Sequence, residues 1–283
     1  MRVANVDGRA MIVLDEGLID VHEASRGRFS SRPEALLDRL DEVRAWLVGD
    51  QPTVTTSVRM LDLATSASLG PVVDAPSQVF AVGLNYQTHA AEMGLAPPSQ
   101  PMIFAKFASS LAGATATFGL PGTRVDWEAE LVVVIGRGGR DLNPATAMAA
   151  VAGYCVGQDL SDRDLQMAGI TPQFSLGKSY RNFAPVGPWI TTTDEVADPQ
   201  DLRIQCSVNG RTYQDSTTRD MVFSVNDIVT YISRVCELRP GDLIFTGSPH
   251  GVGQGQRPPV FLRSGDEVVT TITGLGTLRN RAQ

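Results

Sequence analysis

Cysteine is scarce in this 283-residue chain: Cys155, Cys206 and Cys236 are odd in number, widely spaced and set in apolar or strand-like surroundings. No CxxC pair occurs, so they read as buried thiols in a reducing compartment rather than as disulfide partners. A basic excess is absent too. Lys and Arg total 24 against 31 Asp and Glu, a net charge of −7, and that balance excludes a general nucleic-acid binder. No apolar run approaches the ~18 residues of a membrane span; the longest are LVVVI at 131–135 and AMAAVAG at 147–153. The N-terminal MRVANVDGRAMIV lacks a positive, then apolar, then small cleavage pattern. The expectation is a soluble, cytoplasmic protein with no nucleic-acid or membrane partner. Charged residues make up 19% of the chain, below the usual ~25%, while hydrophobic content is ordinary, which argues against disorder.

What is present is turn-rich and strand-rich. Gly 27 and Pro 17 exceed the average share, and the length suits one large domain or two ordinary ones. Residues 1–71 read as a small α+β accessory domain. There, ANV and MIVL flank Asp7-Gly8, a two-residue hairpin signal. A helix is expected from Pro33 to Val48, with Leu36, Leu37, Leu40, Val43, Trp46 and Leu47 at spacings of three and four and Ser31 as cap. GDQPTVTTSV, at 49–58, breaks it. From residue 72 to 283, short apolar strands alternate with Gly/Pro punctuation: QVFAVGL, PMIFAKF, ELVVVIG, LRIQCSV, DLIFTG and EVVTTITG. Asn209-Gly210 and Pro240-Gly241 mark turns. Helices are expected at 144–152, with Asn143 as cap, and at 225–236, where Ser224 and Asp227 begin a capping box. Strands dominate without regular helix alternation, which argues against a doubly wound sheet or a (β/α)₈ barrel.

Chemistry concentrates in three stretches. Asp126-Trp127-Glu128-Ala129-Glu130 runs into Leu131–Ile135, so on a strand the three acidic side chains share one face, neighbours ~6.7 Å apart. A solvated face is the plain alternative, yet five apolar residues follow, as in strands buried on both sides. Like charges entering a core need a cation or protons, and carboxylate oxygens suit a hard divalent ion, Mg²⁺ or Mn²⁺ with Ca²⁺ also open. Gln158-Asp159-Leu160-Ser161-Asp162-Arg163-Asp164 could supply a third ligand, since Asp159 falls near the end of an apolar strand; a polar surface loop is the alternative. In Gly83–Glu92 a helix after Tyr86 would place His89 and Glu92 at i, i+3, a carboxylate orienting an imidazole for base catalysis or simply a surface contact. Lys106, Arg163 and Lys178 are the cations that could meet an anion despite the overall charge.

Taken together and in order, GLNYQTHAAE, PMIFAKFASSLAG, DWEAELVVVIGR, GYCVGQDLSDRDLQ, SLGKSYRNFAPVGPWI, VNGRTYQDSTTRDMVF, LRPGDLIFTGSPHGVG and GLGTLRN resemble the fumarylacetoacetate hydrolase family over Gln78 to Leu278. The resemblance implies an α+β, β-rich fold, a mixed β-sandwich/β-roll C-terminal domain behind the small N-terminal one. It implies that Glu128, Glu130 and Asp159 are metal ligands, and that His89 and Glu92 activate water. It further implies that Lys178 stabilises an oxyanion or enolate and that Lys106, Arg163, Gln166 and Thr246 line the substrate pocket. The implied activity is hydrolysis of a C–C bond in a 2,4-diketo acid of the acylpyruvate or fumarylpyruvate type. Isomerisation of a 2-hydroxy-diene-dioate or oxaloacetate decarboxylation at the same site are alternatives, as is non-catalytic binding of small oxo acids. Family members are commonly homodimers. Gln158, Asp162, Phe107 and Ser248 depart from the family's usual residues; none is a ligand.

Overall fold

The apolar run LVVVI lies in the strand Ala129–Ile135, which is buried at every residue. Its alternation splits two cores. Leu131, Val133 and Ile135 pack with Ile204, Val268, Ile272 and Leu278 of a second sheet, while Val132 and Val134 pack with Leu36, Val43, Trp46 and Phe245. A strand covered on both faces has no polar face to show, which is why its sequence does not alternate. In this computed structural model, residues 1–57, 60–63 and 69–283 are described.

The larger sheet has ten strands. Its order runs Leu18–Asp20, Arg9–Val13, Arg2–Val6, Ala184–Thr192, Val151–Gln158, Ala129–Ile135, Leu243–Phe245, Val79–Gly83, Met102–Ala105, with Leu111–Ala112 joined to Ala184–Thr192 off this path. Most pairs are antiparallel, but Leu243–Phe245 and Val79–Gly83 run parallel, so the sheet is mixed. The smaller sheet has five strands, and Arg203–Val208, Arg211–Thr217, Glu267–Ile272 and Gly276–Ala282 form most of it. The β-rich α+β architecture is therefore as expected. Among the described residues, no helix is long and apolar enough to cross a membrane.

The Asp7-Gly8 hairpin signal and the Asn209-Gly210 turn signal both hold. Asp7-Gly8 and Asn209-Gly210 have positive φ at both residues (49° and 77°, 51° and 78°), the conformation that matches strand twist in a two-residue loop. The strands Arg2–Val6, Arg9–Val13 and Leu18–Asp20 do not form a separate sheet, because Arg2 and Val3 pair with Thr191 and Ile190. Residues 58–59 and 64–68, including the last residue of the expected break at 49–58, lie outside the described set.

Three helix expectations need correction. Pro33–Leu36 is a 3₁₀ turn, and the α-helix is Leu40–Asp50; Arg32 rather than Ser31 precedes the turn, with no side-chain cap. The apolar positions Leu36, Leu37, Leu40, Val43 and Trp46 are nonetheless buried. At 144–152, Asn143 does cap, accepting from Ala145 N and Thr146 N, but only Met148–Ala150 turns as 3₁₀ before a strand begins at Val151. Val151 at the end of that segment pairs instead with Ile135, where a strand partner outweighs local propensity. The late helix, Val225–Ser233, is shorter than expected but carries the Ser224/Asp227 capping box.

Candidate active site

Strand register assembles the acidic cluster. Gly157 is paired with Glu130 and Gln158 with Ala129, so Asp159, just past the strand end, comes opposite Glu128. The Asp159 N–H donates to the Glu128 carbonyl at 2.9 Å, tying the two backbones together. Gln158 adds a second tie: its Oε1 accepts from the Glu128 N–H at 2.5 Å and its Nε2 donates to Thr270 Oγ1 at 2.8 Å. Glu128, Glu130 and Asp159 are all buried, and each offers a carboxylate oxygen within 4.8 Å of the others.

Cations flank this cluster. Lys178 Nζ donates to Glu128 Oε2 (2.9 Å), Asp159 Oδ2 (2.6 Å) and Ser161 Oγ (2.8 Å). Lys106 Nζ donates to Asp159 Oδ1 (2.5 Å) and to the Lys178 carbonyl. Arg163 spans three acceptors: Asp126 Oδ1 (2.7 Å), Glu128 Oε1 (2.6 Å) and Gln166 Oε1 (2.8 Å). Four buried carboxylates thus face three buried cations, which leaves one negative charge over.

Glu130 is the carboxyl of the four that has no cation against it; its Oε2 accepts from the Gly247 N–H at 2.7 Å. Burial, then the nearby charges of Asp159 and Glu128, push its carboxyl well above the ordinary range. Glu128 goes the other way: burial would raise it, but Lys178 and Arg163 prevail and hold it well below. Burial lowers Lys106 despite Asp159, whereas the attraction of Asp159 and Glu128 overcomes burial at Lys178 and raises it. A divalent cation fits this set. The donors are all hard oxygens, an ionised carboxylate has about four lone-pair sites so that two bonds do not exhaust it, and the local balance calls for positive charge. Glu128, Glu130 and Asp159 would hold the ion.

Above the cluster lies a cavity of about 170 Å³ whose wall includes His89, Glu128, Arg163, Gln166 and Lys178. His89 sits on the helix Gln87–Glu92, and its Nδ1 is 3.1 Å from Glu92 Oε2. The other Glu92 oxygen accepts from the Gly251 N–H at 2.9 Å. Lys178 caps the short helix Phe174–Gly177, and Gly177 lets that helix close on Gln166, since a Cβ there would lie 2.7 Å from the Gln166 backbone. Two residues expected at the pocket wall do not reach it. Lys106 is buried behind Asp159, and Thr246 is buried with its hydroxyl donating to the Leu131 carbonyl at 2.8 Å.

Residues 78–283 match the fumarylacetoacetate (FAA) hydrolase C-terminal family. The chain belongs to that family. A bovine (Bos taurus) relative, the mitochondrial oxaloacetate tautomerase FAHD2A, is 41% identical over 251 residues, covering 88% of this chain and 80% of the relative. A crystal structure from Mycobacterium smegmatis superposes with a TM-score of 0.92 at 46% identity, covering 100% of this chain and 99% of that one. The maleylpyruvate hydrolase of Sphingobium sp. SYK-6, solved with a manganese (II) ion and pyruvate, gives a TM-score of 0.81 at 28% identity, covering 100% and 98%. Within this family fold, the side chains that support the site were harder to read from sequence than those that form it. Asp126 takes Arg163 Nε and the Gln254 N–H, a role only hinted at by its place in the alternating DWEAE pattern. Gln158, legible only as a departure from the family's usual residue, anchors a ligand's backbone. Asp162, another departure, caps the helix Arg163–Gln166.

Proposed function

We propose that the protein is a divalent-metal-dependent hydrolase that cleaves a 2,4-dioxo acid between C3 and C4. The observation that carries this reading is the His89–Glu92 pair, 3.1 Å apart, on the wall of a cavity that also exposes Glu128 and Lys178. A divalent ion held by Glu128, Glu130 and Asp159 would supply Lewis acidity toward the carboxylate and keto oxygens of the substrate. His89 takes a proton from water as that water attacks C4. Glu92 fixes the ring's orientation and offsets the charge on the imidazolium. Lys178 presents its ammonium to the enolate oxygen that develops at C2, a preorganised charge in a site shielded from water. Arg163, clamped by Asp126 and Gln166, holds Glu128 in place.

A second reading is keto–enol tautomerisation of a short 2-oxo acid, favoured by the 41% identity to an oxaloacetate tautomerase. The same His89 would then move a proton at C3 without breaking a carbon–carbon bond. NMR and mass analysis of products formed in heavy-oxygen water separate the two, because only hydrolysis places solvent oxygen in a product carboxylate. The expected result with an acylpyruvate is one labelled carboxylate per turnover; unlabelled, uncleaved enol would sink the hydrolase reading. His89→Ala should lower turnover by about 10²–10⁴ while leaving substrate affinity largely intact.

A further inference from the structure

The acyl group of the substrate is written on the part of the cavity wall that carries no charge. Met93, Leu95, Met102, Phe104, Met167 and Phe174 line it. Three of these are also open to solvent, Met93 at 37%, Leu95 at 52% and Met167 at 53%. Large apolar side chains gathered at one opening mark a binding surface, and thioethers adapt to varied apolar shapes.

Among the described residues, the only Lys or Arg side chains on this wall are Arg163 and Lys178, and neither is left for the far end of a ligand. Arg163 is bound to Asp126, Glu128 and Gln166. Lys178 is tied to Glu128, Asp159 and Ser161 at the acidic cluster, the end of the cavity where its charge serves the enolate. The polar groups left over are neutral. Ser248 accepts from Gln214 Nε2 at 2.8 Å, which keeps its own hydroxyl hydrogen available. The side-chain oxygen of Gln254 is buried with no partner. A second carboxylate at the far end of a ligand would be stripped of water against methionine and phenylalanine with no cation to meet it. A carbonyl followed by an alkyl or aryl group would find a hydroxyl donor and then an apolar wall.

We propose that the substrate class is 2,4-dioxo acids whose C4 bears an uncharged apolar group. The bond broken rests on the hydrolase reading; the nature of the far end does not. In that reaction R–CO–CH₂–CO–COO⁻ and water give R–COO⁻, pyruvate and a proton. The C3–C4 bond breaks, its electron pair leaves on C3, and a proton captures it.

Calorimetric titration of the Mg²⁺-loaded protein with 2-oxoheptanoate and with 2-oxoadipate tests the far end directly, since these differ by an ethyl group in place of a carboxylate and neither can be cleaved. The expected result is at least tenfold tighter binding of 2-oxoheptanoate. Met167→Arg, at an exposed position, should cut that preference tenfold or reverse it. Equal affinity, detectable binding of neither, or tighter binding of 2-oxoadipate by the wild type would overturn the proposal. Preserved ranking together with no cleavage of acylpyruvates would remove only the hydrolase reading.

Discussion

Glu92 is gripped from two directions, by His89 on its own helix and by the Gly251 N–H of the loop across the cavity mouth. The grip leaves no spare room. A Cβ at Gly255 would come within 2.3 Å of the Glu92 carboxyl carbon, a distance no real contact tolerates. Gly255 has no positive φ, so alanine suits its backbone and the strain must go into Glu92. Gly255→Ala should therefore lower kcat tenfold or more with little change in KM, as Glu92→Gln would, while the protein stays folded. Steady-state kinetics beside a melting curve checks both halves. Sequence alone could not reveal this, because the glycine and the carboxylate lie more than 160 residues apart and only the folded loop brings them together. The ligands were different: Glu128 and Glu130 declare themselves as acidic residues leading into an apolar strand, a conflict that has few physical resolutions.

Glu130 has its own pH signature. Its folded-state value is raised above the unfolded one, so the folded, metal-free protein binds that proton more tightly than the unfolded chain. The sign follows directly: metal-free stability falls as pH rises from the ordinary carboxylate range toward the raised value. Glu128, held low, acts in the opposite sense on acidification, so the comparison has to be a difference. Wild type minus Glu130→Gln in melting temperature should become steadily more negative with rising pH in the presence of a chelator. A difference that stays flat across that range contradicts the assignment.

At the scale of elements, the helix Val225–Ser233 was legible at its start and less so at its end. Ser224 Oγ accepts from the Asp227 N–H at 3.2 Å, and Asp227 Oδ2 accepts from the Ser224 N–H at 3.0 Å. Ser224→Ala should cost about 1 kcal/mol in chemical denaturation, with catalysis unchanged because the helix stands away from the cavity wall. The strand Ala184–Thr192 was not legible at all as a central element. It contains Pro185 and Pro188, and proline ordinarily belongs at sheet edges or bulges. The structure resolves the contradiction locally: the register with Val151–Gln158 slips between Tyr154 and Val156, which pair with Thr191 and Gly187. Pro188 falls in that irregularity, where a missing N–H interrupts no regular ladder. The 144–152 segment differs at its end, where Val151 pairs with Ile135 in the sheet rather than extending a helix.

For the whole molecule, the two cores on opposite faces of one sheet mean that the acidic cluster is embedded in the fold rather than attached to it. Binding a cation there should stabilise the entire chain. At a hundredfold excess over its dissociation constant, an ion that binds only the folded state adds about 2.7 kcal/mol. Mg²⁺ or Mn²⁺ should accordingly raise the melting temperature in a concentration-dependent way, and a chelator should abolish both the shift and turnover. Glu128→Gln or Asp159→Asn should blunt the shift. A wild-type melting curve indifferent to both ions would separate the carboxylates from any metal.

The pairing of Val3 with Ile190 sets an order in time. During synthesis the hairpin of Arg2–Val6 and Arg9–Val13 leaves the ribosome with one side of its ladder open, because its neighbour in the sheet is not yet made. At roughly 5–20 residues per second the nascent chain waits on the order of 10–40 s for that partner. Closure across so long a separation is entropically slow as well. Arg2–Val6 is thus made long before the neighbour that closes its open side, which makes that stretch of translation an interval in which a chaperone has something to protect.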